Sequence, residues 1–130
     1  MLVEEIMTPK EKLVTVSPMA PVRDVLMIMK KDGIRSVVVE KTSENGAYGL
    51  VTVKDVLQSI IAEDGDIDFL NVFDIASIPS ISVSKKLDIK YASIMMVKNN
   101  IECLLVIDNN ELYGVLTISD IIGIMLNEID

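Results

Sequence analysis

The chain has 130 residues, half of them hydrophobic, and a net charge of −8. That length fits one compact domain, or two small halves sharing one core, and the acidic balance argues against a general nucleic-acid binder, which needs cations to displace phosphate counterions, and against adsorption to anionic lipid. The imbalance is uneven, with 8 basic and 10 acidic residues up to Gly65 and 4 basic and 10 acidic residues after it, so an anionic ligand meets less repulsion near the first half.

Residues 2–7 form a short apolar helical turn stopped by Thr8-Pro9, and 10–12 are a polar connector. Leu13–Val16 is a short β-prone run, and Ser17-Pro18 signals a helix with Ser17 as its expected N-cap. Over residues 19–32, Val22, Val25, Leu26 and Met29 fall on one face of a 3.6-residue period. Gly33 suits the left-handed position that ends such a helix. Ser36–Val39 is a nearly continuous β-branched run, expected as a strand buried on both faces. Residues 41–47 turn the chain, Tyr48–Val51 returns as a strand, and Thr52 opens a helix whose Val53, Val56, Leu57, Ile60 and Ile61 share a face. That helix dissolves in the acidic linker 63–68.

The pattern then restarts. Residues 14–39 lie on 81–106 without a gap at a shift of 67, and although only 6 of the 26 pairs are identical, nearly every core-facing position stays apolar. Val22, Met29, Ile34 and Val39 fall on Ile89, Met96, Ile101 and Val106. The shift drops to 65 after the second hairpin, so Y-G-L-V-T-V-K-D at 48–55 is repeated as Y-G-V-L-T-I-S-D at 113–120. The final helix, Ile118–Leu126, repeats Val53–Ile61. A match of this quality is an internal repeat, with units at 1–65 and 66–130. Each unit is strand, helix, strand, strand, helix. One such three-stranded sheet with helices on one face leaves its other face uncovered, and two units can cover each other. The expected fold is therefore α/β (α+β): two pseudo-symmetric β-α-β-β-α repeats packed sheet to sheet in one intertwined globule.

The chemistry available is restricted. There is no histidine, which removes the commonest general base and most zinc sites. The single cysteine, Cys103, lies in an apolar run, is expected as a buried hydrophobe and permits no internal disulfide. No Gly-rich phosphate loop is present. The expectation is no catalytic residue, no metal site and no required cofactor. No apolar run approaches the roughly 20 residues that cross a bilayer, and no signal-peptide pattern opens the sequence, so a cytoplasmic location is expected.

What remains is T-x-x-D at two strand-to-helix junctions, Thr52/Asp55 and Thr117/Asp120. A purely structural reading is available: Thr as N-cap with an acid three residues on is a capping-box-like pair. A functional reading stands beside it. A helix N-terminus presents N–H groups and partial positive charge to phosphate, the Asp can bind two ribose hydroxyls, and neighbouring aliphatic side chains can sandwich a purine.

Two tandem units, each with G-x-x-[ST]-x-x-D after an apolar strand, together with E-I-M-T-P, T-V-S-P and G-I-R-S-V-V-V-E in the first unit, resemble the cystathionine-β-synthase (CBS) domain pair, or Bateman module. The resemblance covers nearly the whole chain. It implies a regulatory module binding an adenosine-containing ligand such as AMP, ADP, ATP or S-adenosylmethionine, acting on a separate regulated protein and often forming a homodimer. It implies a preferred cleft with Thr117 and Asp120 at the ribose and Thr8, Val14, Ile34 and Arg35 around base and phosphate. A second cleft would hold Thr52, Asp55, Ser77, Ile81 and Ile101 beside Glu102. Glu102 replaces Arg35 in the second repeat and would repel a phosphate, which is why the Thr117/Asp120 cleft is preferred; Lys12 and Lys54 are expected as surface charge. The competing function is a structural or dimerisation module in which both T-x-x-D pairs act only as helix caps. An enzyme is disfavoured by the absence of histidine, of a nucleophile elbow and of a metal cluster.

Overall fold

A computed structural model describes residues 1–129, and the elements follow the repeat. The chain runs α1 (Val3–Ile6), β1 (Thr8–Pro9), a 3-10 turn at Lys10–Lys12, β2 (Thr15–Val16), α2 (Val22–Asp32), β3 (Ser36–Val39), β4 (Gly49–Thr52) and α3 (Val53–Leu57). It continues through α4 (Val72–Ile75), β5 (Ser82–Val83), α5 (Ile89–Asn99), β6 (Cys103–Asp108), β7 (Glu111–Thr117) and α6 (Ile118–Asn127). The mixed α/β class and the two repeats are those expected from the sequence.

Two compact units result. The first is Val14–Ser80, and the second joins Met1–Leu13 to the chain from Ile81 onward. The repeat boundary near residue 65 marks sequence equivalence, whereas these units mark shared cores, and the two partitions differ because each repeat's lead-in packs on the other repeat's sheet. In the second unit β1 lies antiparallel to β7, with Thr8 opposite Val115 and Pro9 opposite Gly114. In the first unit Ser77 makes the equivalent bridge to Leu50, through reciprocal Leu50–Ser77 backbone bonds of 3.1 and 3.0 Å. The short helices repeat the same relation: Val3 of α1 belongs to the core of the second unit and Val72 of α4 to that of the first.

Within the first unit the sheet order is β2-β3-β4, with β2 parallel and β4 antiparallel to β3. Val16, Val25, Met29, Val37, Val39, Val51, Val56 and Val72 form its core. Within the second the order is β1-β7-β6-β5, and Val3, Val83, Ala92, Met96, Leu104, Val106, Leu116 and Ile121 form the core. Val37–Val39 and Cys103–Val106 are buried without interruption, as expected for strands covered on both faces. Cys103 is buried like the aliphatic residues around it. Of the methionines, Met29 and Met96 are core residues and Met27 is exposed.

Helix ends follow backbone chemistry. Gly33 ends α2 at φ 65°, and Asn100 ends α5 at φ 53° in the equivalent place; Gly and Asn tolerate this left-handed geometry best. The expectation of a helix from residue 19 capped by Ser17 is corrected: α2 starts at Val22 with Pro21 as N-cap at ψ 145°. The residue before a proline is steered away from helical geometry, so Ala20-Pro21 delays the helix, and the Ser17 hydroxyl instead accepts the Met19 N–H at 3.1 Å. The helix opened by Thr52 is also altered. Its last turn, Gln58–Ala62, widens to a π turn, with Glu63 N–H donating to Gln58 C=O at 3.0 Å, and Ile61 faces solvent.

The two motif glycines mark the close crossings of the lead-in segments. A Cβ on Gly114 would collide with the Thr8 carbonyl and lie 2.9 Å from Met7 Sδ, and one on Gly49 would lie 2.5 Å from Ile78 Cγ1 and 2.8 Å from the Ser77 carbonyl. Gly123, inside α6, has nothing within 4 Å of such an atom. We therefore expect Gly114→Ala and Gly49→Ala to destabilise by about 1–3 kcal/mol through overpacking. Gly123→Ala should stabilise by roughly 0.5–1 kcal/mol through helix propensity. Urea unfolding of the three variants checks the contrast.

Asp108 closes the end of β6 onto the turn after β5, accepting the Lys85 N–H at 3.0 Å. That bond, helped by the Ser84 hydroxyl and the Lys85 and Lys86 charges, holds its carboxyl below the ordinary carboxylate value. A depressed folded pKa contributes stability above the unfolded value, near 3.9, that is lost as pH falls through the folded value. Unfolding free energy should fall less steeply below about pH 4 in Asp108→Asn than in the wild type, as read by denaturant titration across pH.

Candidate functional site

Each T-x-x-D pair sits where a buried strand becomes a helix. The strand fixes Thr in extended geometry, at φ −110°, ψ 165° for Thr52 and φ −111°, ψ 161° for Thr117. The next residue is helical, so the Thr side chain meets the amide three residues on. Asp55 N–H donates to Thr52 Oγ1 at 3.2 Å, and Thr52 N–H donates to Asp55 Oδ2 at 2.8 Å. At the second junction the same two bonds, Asp120 N–H to Thr117 Oγ1 and Thr117 N–H to Asp120 Oδ2, measure 3.2 and 2.8 Å. Both are complete capping boxes.

The cap uses one carboxylate oxygen. Among the described residues every hydrogen bond of Asp55 and Asp120 side chains falls on Oδ2, so the cap and a ligand need not compete for the same atom. Asp55 and Asp120 are both half-buried, which strengthens a hydrogen bond to either relative to open water. The second junction opens an uninterrupted ten-residue helix, α6, whereas α3 gives way to the π turn after five residues. Counting the π turn, both helical runs are ten residues long, and the dipole acts within the first turn, so it does not separate the two junctions.

The remaining predicted residues distribute by unit. Thr8 joins Thr117 and Asp120 in the second unit: it pairs with Val115 and is half-buried. Ser77 joins Thr52 and Asp55 in the first, on the edge of β4. Val14, Ile34 and Arg35 belong to the first unit, and Ile81, Ile101 and Glu102 to the second. Arg35 and Glu102 occupy equivalent positions next to a junction. The Arg35 carbonyl accepts the N–H of Val53, the first residue of α3, and the Glu102 carbonyl accepts that of Ile118, the first of α6, each at 3.0 Å. Ile34 and Ile101 are half-buried against the two cores, while Ile81 is half-exposed. Lys12 and Lys54 are exposed.

Among the described residues no group of three or more His, Cys, Asp or Glu side chains has the arrangement of a metal site. No helix of the described residues is long and apolar enough to cross a membrane.

The CBS-domain family model matches residues 3–62 and again 72–127. The chain belongs to the CBS-domain family. It is a tandem CBS pair, with one match per repeat. A curated relative is an uncharacterized protein of Methanopyrus kandleri, MK0525, 27% identical over 116 residues, which cover 88% of this chain and 59% of that one; the chain thus spans little more than half of that relative's length. Among solved structures, the hexameric CBS-CP12 protein from bloom-forming cyanobacteria superposes with a TM-score of 0.85 at 30% identity, over 94% of this chain and 69% of that one. The structure of CBSX2 in complex with AMP has the same fold, with a TM-score of 0.85 at 20% identity over 99% of both chains.

The sequence missed the symmetry of the lead-ins. α1 and α4 are related by a shift of 69 (Val3 to Val72, Ile6 to Ile75), but only those two aliphatic residues and a preference for acids survive, too little to find without the paired geometry.

Because both caps are complete without a ligand, Thr117→Val and Thr52→Val should each cost about 1 kcal/mol of stability with no ligand present. Thermal unfolding of the two variants should give similar losses if the caps are equivalent.

Proposed function

We propose that this CBS pair is a regulatory, non-catalytic module that binds an adenosine-containing ligand (AMP, ADP, ATP or S-adenosylmethionine) at a T-x-x-D junction and signals its presence to a separate protein. The observation that carries the proposal is the pair of capping boxes that occupy only Oδ2 of Asp55 and Asp120. At Thr117/Asp120 the second carboxylate oxygen accepts ribose hydroxyls, and the start of α6 faces the negative end of the ligand. A structure of the same fold in complex with AMP supports the ligand class. Thr8, on the strand that crosses Gly114, is the neighbouring hydroxyl of the same unit.

A second reading has its own observation. Arg35, the cation assigned to the phosphate, lies in the first unit with its carbonyl bonded to the start of α3, so Thr52/Asp55 with Ser77 is the alternative place for an anionic ligand. Signalling requires only that the ligand favour one conformation of the protein over another. The apolar residues exposed on α5 and α6 (Tyr91, Ile94, Ile122, Met125 and Leu126) suit a homodimer as the signalling form. A module without ligand binding, in which the boxes are only caps, is the reading the experiment must defeat.

A thermal-shift series with AMP, ADP, ATP and S-adenosylmethionine on wild type, Asp120→Ala and Asp55→Ala separates these. Ligand at a hundredfold excess over Kd should stabilise the wild type by about 2.7 kcal/mol, and Asp120→Ala should abolish that gain while Asp55→Ala keeps it. Loss only in Asp55→Ala transfers the site to the first junction. No shift with any ligand, beside equal loss of stability in both variants, leaves caps alone and rejects the sensor.

A further inference from the structure

The pseudo-symmetry supplies an internal control for surface residues. In the first unit, the segment before α2 is bonded to α4: Val72 N–H donates to Ala20 C=O at 2.8 Å, and Phe73 N–H to Pro18 C=O at 2.9 Å, with Pro21 bridging Asn71. In the second unit the same bonds recur between the segment before α5 and α1: Val3 N–H to Leu87 C=O at 2.8 Å, Glu4 N–H to Lys85 C=O at 3.0 Å, and Leu2 bridging Asp88. In this register Met19 and Phe73 of the first unit hold the backbone positions of Lys86 and Glu4 in the second. Lys86 and Glu4 form an ion pair at 2.7 Å, the surface pair expected of a solvated position. Their counterparts are apolar and open to water: Met19 is 65% exposed and Phe73 49%.

Phe69 extends this surface. It is 84% exposed, the most exposed of the large hydrophobic residues, and follows Asp68, which pairs with Arg23 of α2 at 2.5 Å. The fold does not need apolar side chains at Met19 and Phe73, because the second unit builds the same backbone arrangement with the Lys86–Glu4 salt bridge; Phe69 has no counterpart there, since the equivalent position precedes Met1. The chain that carries the phenylalanines is acidic: between Lys54 and Lys85 the sequence has no basic residue, and the exposed Glu63, Asp64, Asp66, Asp68 and Asp74 flank Phe69 and Phe73 in sequence, with Asp68 paired to Arg23. A second copy meeting this surface face to face would bring like charges together, which an isologous contact cannot avoid.

We propose that Met19, Phe69 and Phe73 form a docking surface for a basic segment of a partner protein, with apolar side chains seated on the patch and Lys or Arg meeting the flanking acids. Aromatic anchors flanked by charge are the anatomy of such a contact, with the apolar side chains supplying affinity and the charges supplying orientation and rate. The surface deepens the regulatory reading by giving the module an output contact, and it stands or falls on residues that the ligand proposal does not use.

The test uses a fluorescein-labelled peptide of leucine and lysine at helical spacing, with two controls, one with every Lys replaced by Glu and one with every Leu replaced by Ser. Fluorescence anisotropy is read against the wild type, against Met19→Lys/Phe73→Glu, which transplants the ion pair of the other unit, and against Phe69→Ser. The expected result is saturable binding of the Leu/Lys peptide alone, weakened tenfold or more in the double variant and at least threefold in Phe69→Ser, with both variants keeping the wild-type circular dichroism. Equal affinity for wild type and both variants would show charge attraction without the patch and overturn the proposal. Binding of the Glu peptide, no saturable binding at all, or a wild-type self-association that Met19→Lys/Phe73→Glu removes would overturn it as well. An Asp120→Ala protein that loses its nucleotide response while keeping the peptide affinity keeps the two proposals distinct.

Discussion

The backbone at Thr8 passes so close to β7 that Gly114 has no room for a side chain. The same constraint holds where Ser77 and Ile78 pass Gly49. These two crossings organise the molecule. They tie the first thirteen residues to the sheet of the second repeat and the residues before Ser80 to that of the first, and they place a lead-in hydroxyl, Thr8 or Ser77, on the strand that ends three residues later in a capping threonine. The glycine of the repeated Y-G-x-x-T-x-x-D stretch is therefore spatial in origin, and its threonine and aspartate are conformational.

The junctions that follow are helix caps first. A strand that ends buried must satisfy the first amides of the helix it feeds, since those N–H groups have no partner within the helix. Thr and Asp supply that at both sites with matching bond lengths. Capping occupies Oδ2 and leaves the chemistry of the other oxygen for a hydroxyl donor. The same motif reads as a cap on its geometry and as a binding site only under the proposed function, and the sequence alone could not separate the two. The local charges differ more than the caps do: Arg35 in one repeat stands where Glu102 stands in the other.

Much of the fold was legible because its periodicities are strong. The 67- and 65-residue shifts located β3 with β6, β4 with β7 and α2 with α5, and Gly33 ended α2 as its conformational freedom implies. Local chemistry was harder to see. Ser17 resembled an N-cap, but Ala20-Pro21 postponed the helix beyond its reach. Of the apolar period after Thr52, Val56 and Ile60 reach the core, whereas Leu57 and Ile61 face solvent; the helix end is a π turn, and the linker folds back with Gly65 N–H donating to Ser59 C=O at 2.8 Å. The exchange of lead-ins was not in the periodicities, because Val3/Val72 and Ile6/Ile75 are too few to mark a repeat; only the family resemblance grouped Thr8 with Thr117 and Ser77 with Thr52. The exposed Phe73 gained meaning only when the pseudo-symmetric ion pair Lys86–Glu4 was set beside it.

The central claim is that a capping aspartate doubles as the ribose acceptor. The most direct measurement is an amide-resolved NMR titration of the wild-type protein with AMP, following the N–H groups of Ile118 to Asp120 and of Val53 to Asp55. The account predicts saturable shifts concentrated at Ile118–Asp120, where the N–H groups begin α6, with the Asp120 amide still protected because its bond to Thr117 persists. Saturable binding that leaves both junctions unmoved, or loss of Asp120 amide protection on binding, would contradict it.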